Sequence, residues 1–469
     1  MLSNKNRKKL ELKKSLDSFF KMCYIIRMAY AIDLFCGAGG CSEGLLQAGF
    51  KILFSSDISP MVQQTYMHRH EQLGLIQGYN TWFELSDIRN LHGDDIWQHI
   101  NNLEIFNNGT QQTPNEIDLI IGGPSCQGFS RAGRRDKNDP RNMLFGEYVR
   151  VINEIQPKYI VLENVEGFMD MQFMGYVGIT GIHYPDGSVT PDILRNELNE
   201  IGYHTLDPQI LNAADFGVPQ RRRRVFFIGY RDGQDEPEYP EPTHANNHLT
   251  LSDAISDLIR NDDIRNQIPQ SAYQIESHNG RTPDVNGHPI QAPAEFTCNE
   301  LSTMSAIVEE RFSLFLPGET GTSLRRRIHE DGINLTGKNN LLRLLHEKLN
   351  IEEERIIEIF INHEATDEQI DLLLTKKGIR QRWSPDVPSA TIVSIADDYI
   401  SPWENRTFSV REMARCQSFD DSFEFLGKRT TGGLKRRVEV PQYTQVGNAV
   451  PPLLARAVVA KIMECLENN

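Results

Sequence analysis

A run of apolar residues that breaks at once into glycines constrains this chain more than any other feature. Tyr30–Phe35 reads as a buried strand, and Cys36-Gly37-Ala38-Gly39-Gly40 follows without a spacer. Ser42–Ala48 then reads as a helix, and Gly49 suits the left-handed cap that ends it. Such a turn exposes a helix N-terminus and lets a ligand approach the backbone. The alternation continues to residue 230. Further strands are expected at Lys51–Ser55, Ile117–Ile121, Tyr159–Leu162 and Arg224–Tyr230. Tyr148, Val149, Ile152 and Ile155 recur at helical spacing, and Pro157 stops that helix. Thr190-Pro191 opens another, carried by Ile193, Leu194, Leu198 and Ile201 and closed by Gly202. Repeated β-α-β units imply a doubly wound sheet that binds ligands along its carboxyl edge.

Beyond residue 230 the texture changes. Residues 231–248 are rich in Asp, Glu, Pro, His and Asn, and 250–380 mix short helices with polar connections. Thr366 and Gln369 form a capping box. Residues 382–443 read as irregular with short strands, and 450–466 as an amphipathic helix bearing Leu454, Val458, Ile462 and Leu466 on one face. A chain of 469 residues accommodates two or three domains. The expected division is a basic extension at 1–27, a catalytic and cofactor-binding domain at 28–230 completed by 444–469, and a second domain at 231–443. No stretch approaches the roughly 18 to 20 apolar residues of a membrane span. Seven scattered Cys with no C-x-x-C pair argue against a disulfide framework or a metal site and for a reducing cytoplasm.

A net charge of -15 does not by itself suggest a nucleic-acid binder. The charge is unevenly placed, however. Residues 1–27 hold eight Lys/Arg against Glu11 and Asp17, and clusters recur at Arg131, Arg134 and Arg135, at Arg221–Arg224, at Arg325–Arg327 and between Lys428 and Arg437. Local field steers a polyanion more than the sum does, although most such runs are solvated faces.

Four groups along the expected carboxyl edge carry chemistry. Asp57 ends the second strand, where a carboxylate accepts ribose hydroxyls. Gly122-Gly123-Pro124-Ser125-Cys126-Gln127-Gly128-Phe129-Ser130 follows a buried strand and puts Cys126 at the edge. A Cys there is a nucleophile if its pKa is lowered, and an inert core residue otherwise. The polar stretch to Met143 is long enough to be a functional loop. Glu163-Asn164-Val165 ends another strand, and a carboxyl group at that point can hold a ring nitrogen and an exocyclic amine together. Arg222 and Arg224 follow Gln220 and share one face of a strand.

Taken in order, these segments resemble the motif set of the DNA (cytosine-5-)methyltransferase family, of the bacterial or phage restriction-modification type. The first motif resembles 33–40, the nucleophile motif 122–130, the Glu-Asn-Val motif 163–165 and the Gln-Arg-x-Arg motif 220–224. Arg411–Phe419 and Gln445–Pro452 resemble two later motifs. Ser125, with Pro124 one position earlier, stands where the family usually has Pro directly before the Cys. The resemblance does not cover 1–27 or 231–380, and 171–189 reads as an inserted Gly-rich loop.

The resemblance implies an α/β fold: the Rossmann-like, doubly wound sheet of S-adenosylmethionine-dependent methyltransferases, with an inserted smaller mixed recognition domain. It implies that Phe35, Gly37, Gly39 and Gly40 hold S-adenosylmethionine, with Asp57 on the ribose and Ile58 against the adenine. Asp87 and Ile88 would contact the adenine end, and Asn448 and Ala449 would close the site. Cys126 would attack carbon 6 of a flipped-out cytosine, Glu163 would hold the ring, and Arg222 and Arg224 would position base and loop. The implied partner is double-stranded DNA. Arg382, Pro388, Ser389 and Thr391 fall in a segment resembling a motif that organises the recognition domain. Neither a metal nor a membrane is expected, and the protein is expected to be a monomer in a prokaryotic cytoplasm. Two alternatives carry the same residues: methylation of cytosine in transfer RNA, and a catalytically silent nucleic-acid-binding homologue.

Overall fold

The computed structural model describes residues 28–124, 143–374, 380–394, 398–431, 435 and 438–468. Its centre is an eight-stranded sheet. The strands are β1 (Tyr30–Leu34), β2 (Lys51–Asp57), β3 (Trp82–Leu85), β4 (Leu119–Gly122), β5 (Tyr159–Asn164), β6 (Tyr203–Thr205), β7 (Gln209–Asn212) and β8 (Arg223–Arg231). Their order is β3-β2-β1-β4-β5-β8-β6, with β7 also paired to β8. From β3 to β5 all neighbours are parallel, whereas β8 runs antiparallel to β5, β6 and β7. The sheet is therefore mixed, and the parallel part is the doubly wound part the alternation predicts.

Both faces of the parallel part are covered, which is why its strands read as unbroken apolar runs. Ala31, Leu119, Ile121, Tyr159, Val161 and Phe226 face one core, shared with helices α1 (Gly40–Gln47) and α2 (Pro452–Asn468). Tyr30, Ile32, Leu34, Ile120, Ile160, Leu162 and Phe227 face the other, built with α3 (Gly93–Asn101), α4 (Leu144–Ile155) and α5 (Thr190–Glu200). Each Leu, Ile, Val or Phe among them contributes about 1.5–3 kcal/mol on burial. The segment read as an inserted loop forms a short hairpin, Gln172–Phe173 against Ser188–Val189. Phe173, Tyr176 and Tyr184 pack there with Phe145 of α4, an aromatic cluster that fixes its position.

The apolar contacts of 231–443 fall in two places. Leu251, Ala254, Ile255, Tyr273, Phe408, Met413, Phe419 and Phe425 belong to the core of the sheet. A separate cluster lies at 312–374 with Ile400, formed by five helices: Ala306–Phe312, Gly321–Glu330, Asn339–Leu349, Glu353–Ile361 and Asp367–Leu373. Thr366 caps the last of these through the expected box with Gln369. Arg382 ties this unit down by donating to the carbonyls of Phe312 at 2.6 Å and Ser401 at 2.7 Å.

Candidate active site

Register brings the motif residues to one edge. Leu34 pairs with Gly122, and Gly122 pairs with Leu162. Residues 35–37 and 123–124 therefore leave the sheet beside Glu163 of β5. At the end of β1 the chain turns sharply. Phe35 has φ 58, Gly37 φ 54 and Gly39 φ 101, a left-handed series that only glycine adopts without cost. A Cβ on Gly37 would meet open space, whereas one on Gly40 would collide with the carbonyl oxygen of Val450. Gly37 thus leaves room for a ligand, and Gly40 admits the C-terminal segment.

Asp57 sits at the end of β2 and spans this turn. Its carboxylate accepts from the Gly37 N–H at 3.1 Å and the Ser59 N–H at 2.8 Å. Burial pushes its pKa up, and these backbone donors pull against that. Beside it Ile58 is 65% exposed, a large apolar side chain left facing outward at the sheet edge. Asp33, one strand away, accepts from Ser42 Oγ at 2.6 Å. Burial raises Asp33 to about 7, with the Ser42 hydrogen bond opposing and Asp57 adding to the rise.

Glu163 lies on β5, opposite Phe226 of β8. Arg224 is two residues before Phe226 and so reaches it diagonally on the same face. Its Nε stands 2.9 Å from Glu163 Oε1, and both side chains are largely buried. Burial raises the Glu163 pKa, while Arg224 and then Arg222 oppose it. The neighbouring Asn164 donates from Nδ2 to the Pro124 carbonyl at 3.0 Å, holding the start of the nucleophile segment to β5. Cys126 itself, with Arg131, Arg134 and Arg135, lies outside the described residues.

The two arginines do different things. Arg224 is at the carboxyl group, whereas Arg222 is buried and donates to the carbonyls of Gly447 at 2.9 Å and Ile392 at 3.3 Å. Arg222 therefore holds the C-terminal segment against the start of β8. That segment places Asn448 exposed and Ala449 buried after Gly447. Further along the sheet edge, the Asp87 carboxylate accepts from Arg89 Nε at 2.9 Å, which lowers its pKa. Ile88 is buried and belongs to the core cluster that also holds Leu91, Phe145 and Val149.

Sequence reasoning passed over two glutamines inside its own motifs. Gln220 donates to the Cys416 carbonyl at 3.2 Å and to Gln417 Oε1, and accepts from the Ile392 N–H at 2.9 Å. Gln417 donates in turn to the carbonyls of Val446 at 2.9 Å and Ala449 at 2.8 Å. A pair of amides thus joins four segments far apart in the chain. The signal was their presence beside the charged motif residues, but an amide names no chemistry until its partners are known.

The Gly-rich turn, the Asp57 carboxylate and the buried Glu163–Arg224 pair thus share one carboxyl edge of an α/β sheet. The model of the C-5 cytosine-specific DNA methylase family matches residues 30–464, and the chain belongs to that family. It is a DNA (cytosine-5-)methyltransferase. It is 30% identical to the Type II methyltransferase M1.HphI of Haemophilus parahaemolyticus, over 96% of this chain and 90% of that protein. It is 29% identical to the Type II methyltransferase M.AgeI of Thalassovita gelatinovora, over 92% of this chain and 98% of that protein. The crystal structure of a prophage-encoded E. coli protein assigned as a DNA modification methyltransferase shares the fold, with a TM-score of 0.60 at 22% identity over 94% of this chain and 99% of that one. Among the described residues no helix is long and apolar enough to cross a membrane, and no three His, Cys, Asp or Glu side chains are grouped to hold a metal ion.

Proposed function

We propose that this enzyme methylates carbon 5 of a cytosine swung out of a specific short duplex DNA sequence, through a covalent adduct with Cys126. The observation that carries the reading is the buried Glu163 carboxyl group with Arg224 Nε 2.9 Å away. Burial favours the protonated acid, which can donate to cytosine N3, and Arg224 stabilises the carboxylate left behind. As the Cys126 thiolate bonds to carbon 6, N3 takes the Glu163 proton and carbon 5 becomes nucleophilic. After methyl transfer a base removes the carbon 5 proton, the carbon–sulfur bond breaks, the thiolate leaves and N3 returns its proton to the Glu163 carboxylate. Flipping costs roughly a few kcal/mol.

The residues at the β1–β2 edge fit S-adenosylmethionine. Open space at Gly37, the Asp57 carboxylate at ribose height and the outward Ile58 suit a nucleoside. When bound, that group supplies an electrophilic methyl. In this reading Phe35, Gly39, Gly40, Asp87 and Ile88 complete its surroundings, and Asn448 and Ala449 close them. Residues 231–443 carry sequence readout, 1–27 form a separate extension, and the enzyme acts as a monomer in a prokaryotic cytoplasm. There it protects DNA from a cognate restriction endonuclease.

Bisulfite sequencing of plasmid from a methylation-free host expressing this chain, beside its Cys126→Ser variant, tests the reading. Protected cytosines in one recurrent short sequence, absent in the variant, support it. Protection confined to transfer RNA, or none from folded protein, refutes it.

A further inference from the structure

The glycines of the turn after β1 have no side chains with which to hold its shape. Gly37 and Gly39 are both left-handed, and a Cβ on Gly37 would touch nothing. The turn is fixed from outside. One support is β2: the Cys36 N–H donates to the Ser56 carbonyl at 3.1 Å, and the Gly37 N–H to the Asp57 carboxylate at 3.1 Å. A second is the ring of Tyr66, from α6 (Pro60–Gln72). A Cβ on Gly39 would lie 3.3 Å from Tyr66 Cδ2, so the ring packs directly against the turn. Cys36, Tyr66 and Phe83 form one small buried cluster, with the two ring centroids 5.1 Å apart.

The Tyr66 hydroxyl is itself held by a chain of polar groups. It lies 2.8 Å from Ser42 Oγ in the first turn of α1 and 2.5 Å from Ser55 Oγ on β2. Ser42 donates to Asp33 Oδ2 on β1 at 2.6 Å, and Asp33 and Ser55 are register neighbours. Each hydroxyl carries one proton. Ser42 gives its own to Asp33, so Tyr66 donates to Ser42 and accepts from Ser55. The relay runs one way, from Ser55 through Tyr66 and Ser42 to Asp33, and links β2, α6, α1 and β1 around the turn. All four side chains are buried. Buried polar groups cost stability unless paired, and apolar residues would fill the same space without that demand. What the polar chain adds is direction: it fixes where the Tyr66 ring stands.

We infer that Tyr66 is a positioning residue for the cofactor. Its ring on Gly39 and its hydroxyl between Ser42 and Ser55 hold the Gly37–Gly40 turn in the shape that accepts a nucleoside. Tyr66 acts through the turn and touches no reacting atom. The inference rests on the proposed reading of that turn as the S-adenosylmethionine site.

Tyr66→Phe keeps the ring and cuts the relay. The full-length variant is titrated calorimetrically with S-adenosylhomocysteine and assayed for methyl transfer to duplex DNA. The dissociation constant and the KM for S-adenosylmethionine are expected to rise about tenfold, the effect of one lost hydrogen bond. At saturating cofactor, kcat and the KM for DNA stay within about twofold of native, because only cofactor binding is impaired. Ser55→Ala removes one bond of the relay and is expected to show the same split at about threefold; it decides alone should Tyr66→Phe not fold. Tyr203→Phe is the control: a buried tyrosine at the far edge of the sheet loses its bond to the Pro157 carbonyl. It is expected to lower Tm and leave both cofactor constants within about twofold. Cofactor affinity unchanged in the relay variants overturns the inference, as does an equal loss in Tyr203→Phe. Asp57→Ala separates the two readings. If it leaves S-adenosylhomocysteine binding intact, the turn is not the cofactor site and both readings fall. If it abolishes binding that the relay variants retain, the role of Tyr66 falls alone.

Discussion

The motif edge of the sheet and the helical unit at 304–374 both present arginines, and they use them in opposite ways. At the edge, the partners of Arg222 and Arg224 come from remote segments: Gly447, Ile392 and Glu163. In the helical unit, Arg325 meets Asp367 and Asp371, Arg327 meets Glu319, and Arg355 meets Glu358 and Glu364. Residues 304–374 hold eight Lys/Arg against fourteen Asp/Glu, a local charge of -6. The difference teaches that a basic cluster in a sequence is not yet a basic surface. Arg325–Arg327 form one of the basic clusters of the sequence, but the Arg325 and Arg327 guanidinium groups are paired with carboxylates of the same unit.

The sharpest way to break this contrast is at Glu163. Glu163→Gln keeps the shape and loses the transferable proton, and methyl transfer to duplex DNA is expected to fall by about 10²–10⁴-fold. Tritium transfer under single-turnover conditions checks this. A loss under tenfold would remove Glu163 from the chemistry and with it the special status of the edge. Arg224→Lys and Arg222→Lys then separate two arginines that lie two positions apart. The first keeps charge but misplaces the donor, so kcat is expected to fall about tenfold with little change in Tm. The second leaves buried carbonyls without donors and is expected to cost about 1–3 kcal/mol of stability in denaturant melts.

How much of this was legible beforehand follows the same divide. The strands at 30–34, 119–122 and 159–164 were readable because parallel strands buried on both faces are unbroken apolar runs. Glu163 and Arg224 were readable as candidates because charged residues directly beside such runs have few structural reasons to be there. The antiparallel direction of β8 was not readable, since strand composition carries no direction. Nor was the role of Arg222: alternation puts it on the face of Arg224, but its partners lie 170 and 225 residues away. Strand β3 and helix α6 were missed because Trp82–Leu85 is short, and His, Gln and Arg interrupt the apolar pattern of Pro60–Gln72. The sharing of core by 251–298 and 408–425 with the sheet was hidden for a related reason. Texture marks where loops gather, and long-range packing leaves no local trace.

A smaller effect sharpens the edge from within. Asp33 is raised to about 7 by burial, above its ordinary 3.8. The folded state therefore holds a proton that the unfolded chain releases between those values, and stability falls as pH rises through that window. Asp33→Asn keeps an acceptor for Ser42 Oγ and removes the titration. Its Tm is expected to decline less than that of the native chain between pH 4 and about 7. Parallel Tm profiles would assign the slope to another group.

The smallest expected effect tests the helical unit. Arg325→Ala removes exposed ion pairs to Asp367 and Asp371, and such pairs are worth about 0–1 kcal/mol. Stability should shift within that range, and less at high salt, where exposed pairs are screened. The informative measurement is DNA affinity against salt concentration. A lysine or arginine that contacts phosphate adds about one counterion to the slope, so losing it lowers the slope by about that amount. Because Arg325 is engaged by two carboxylates, the slope of the variant should match the native slope, and the methylated sequence should be unchanged. A reduced slope would mean that DNA draws Arg325 away from its partners, and the contrast between the two regions would then describe only the free enzyme.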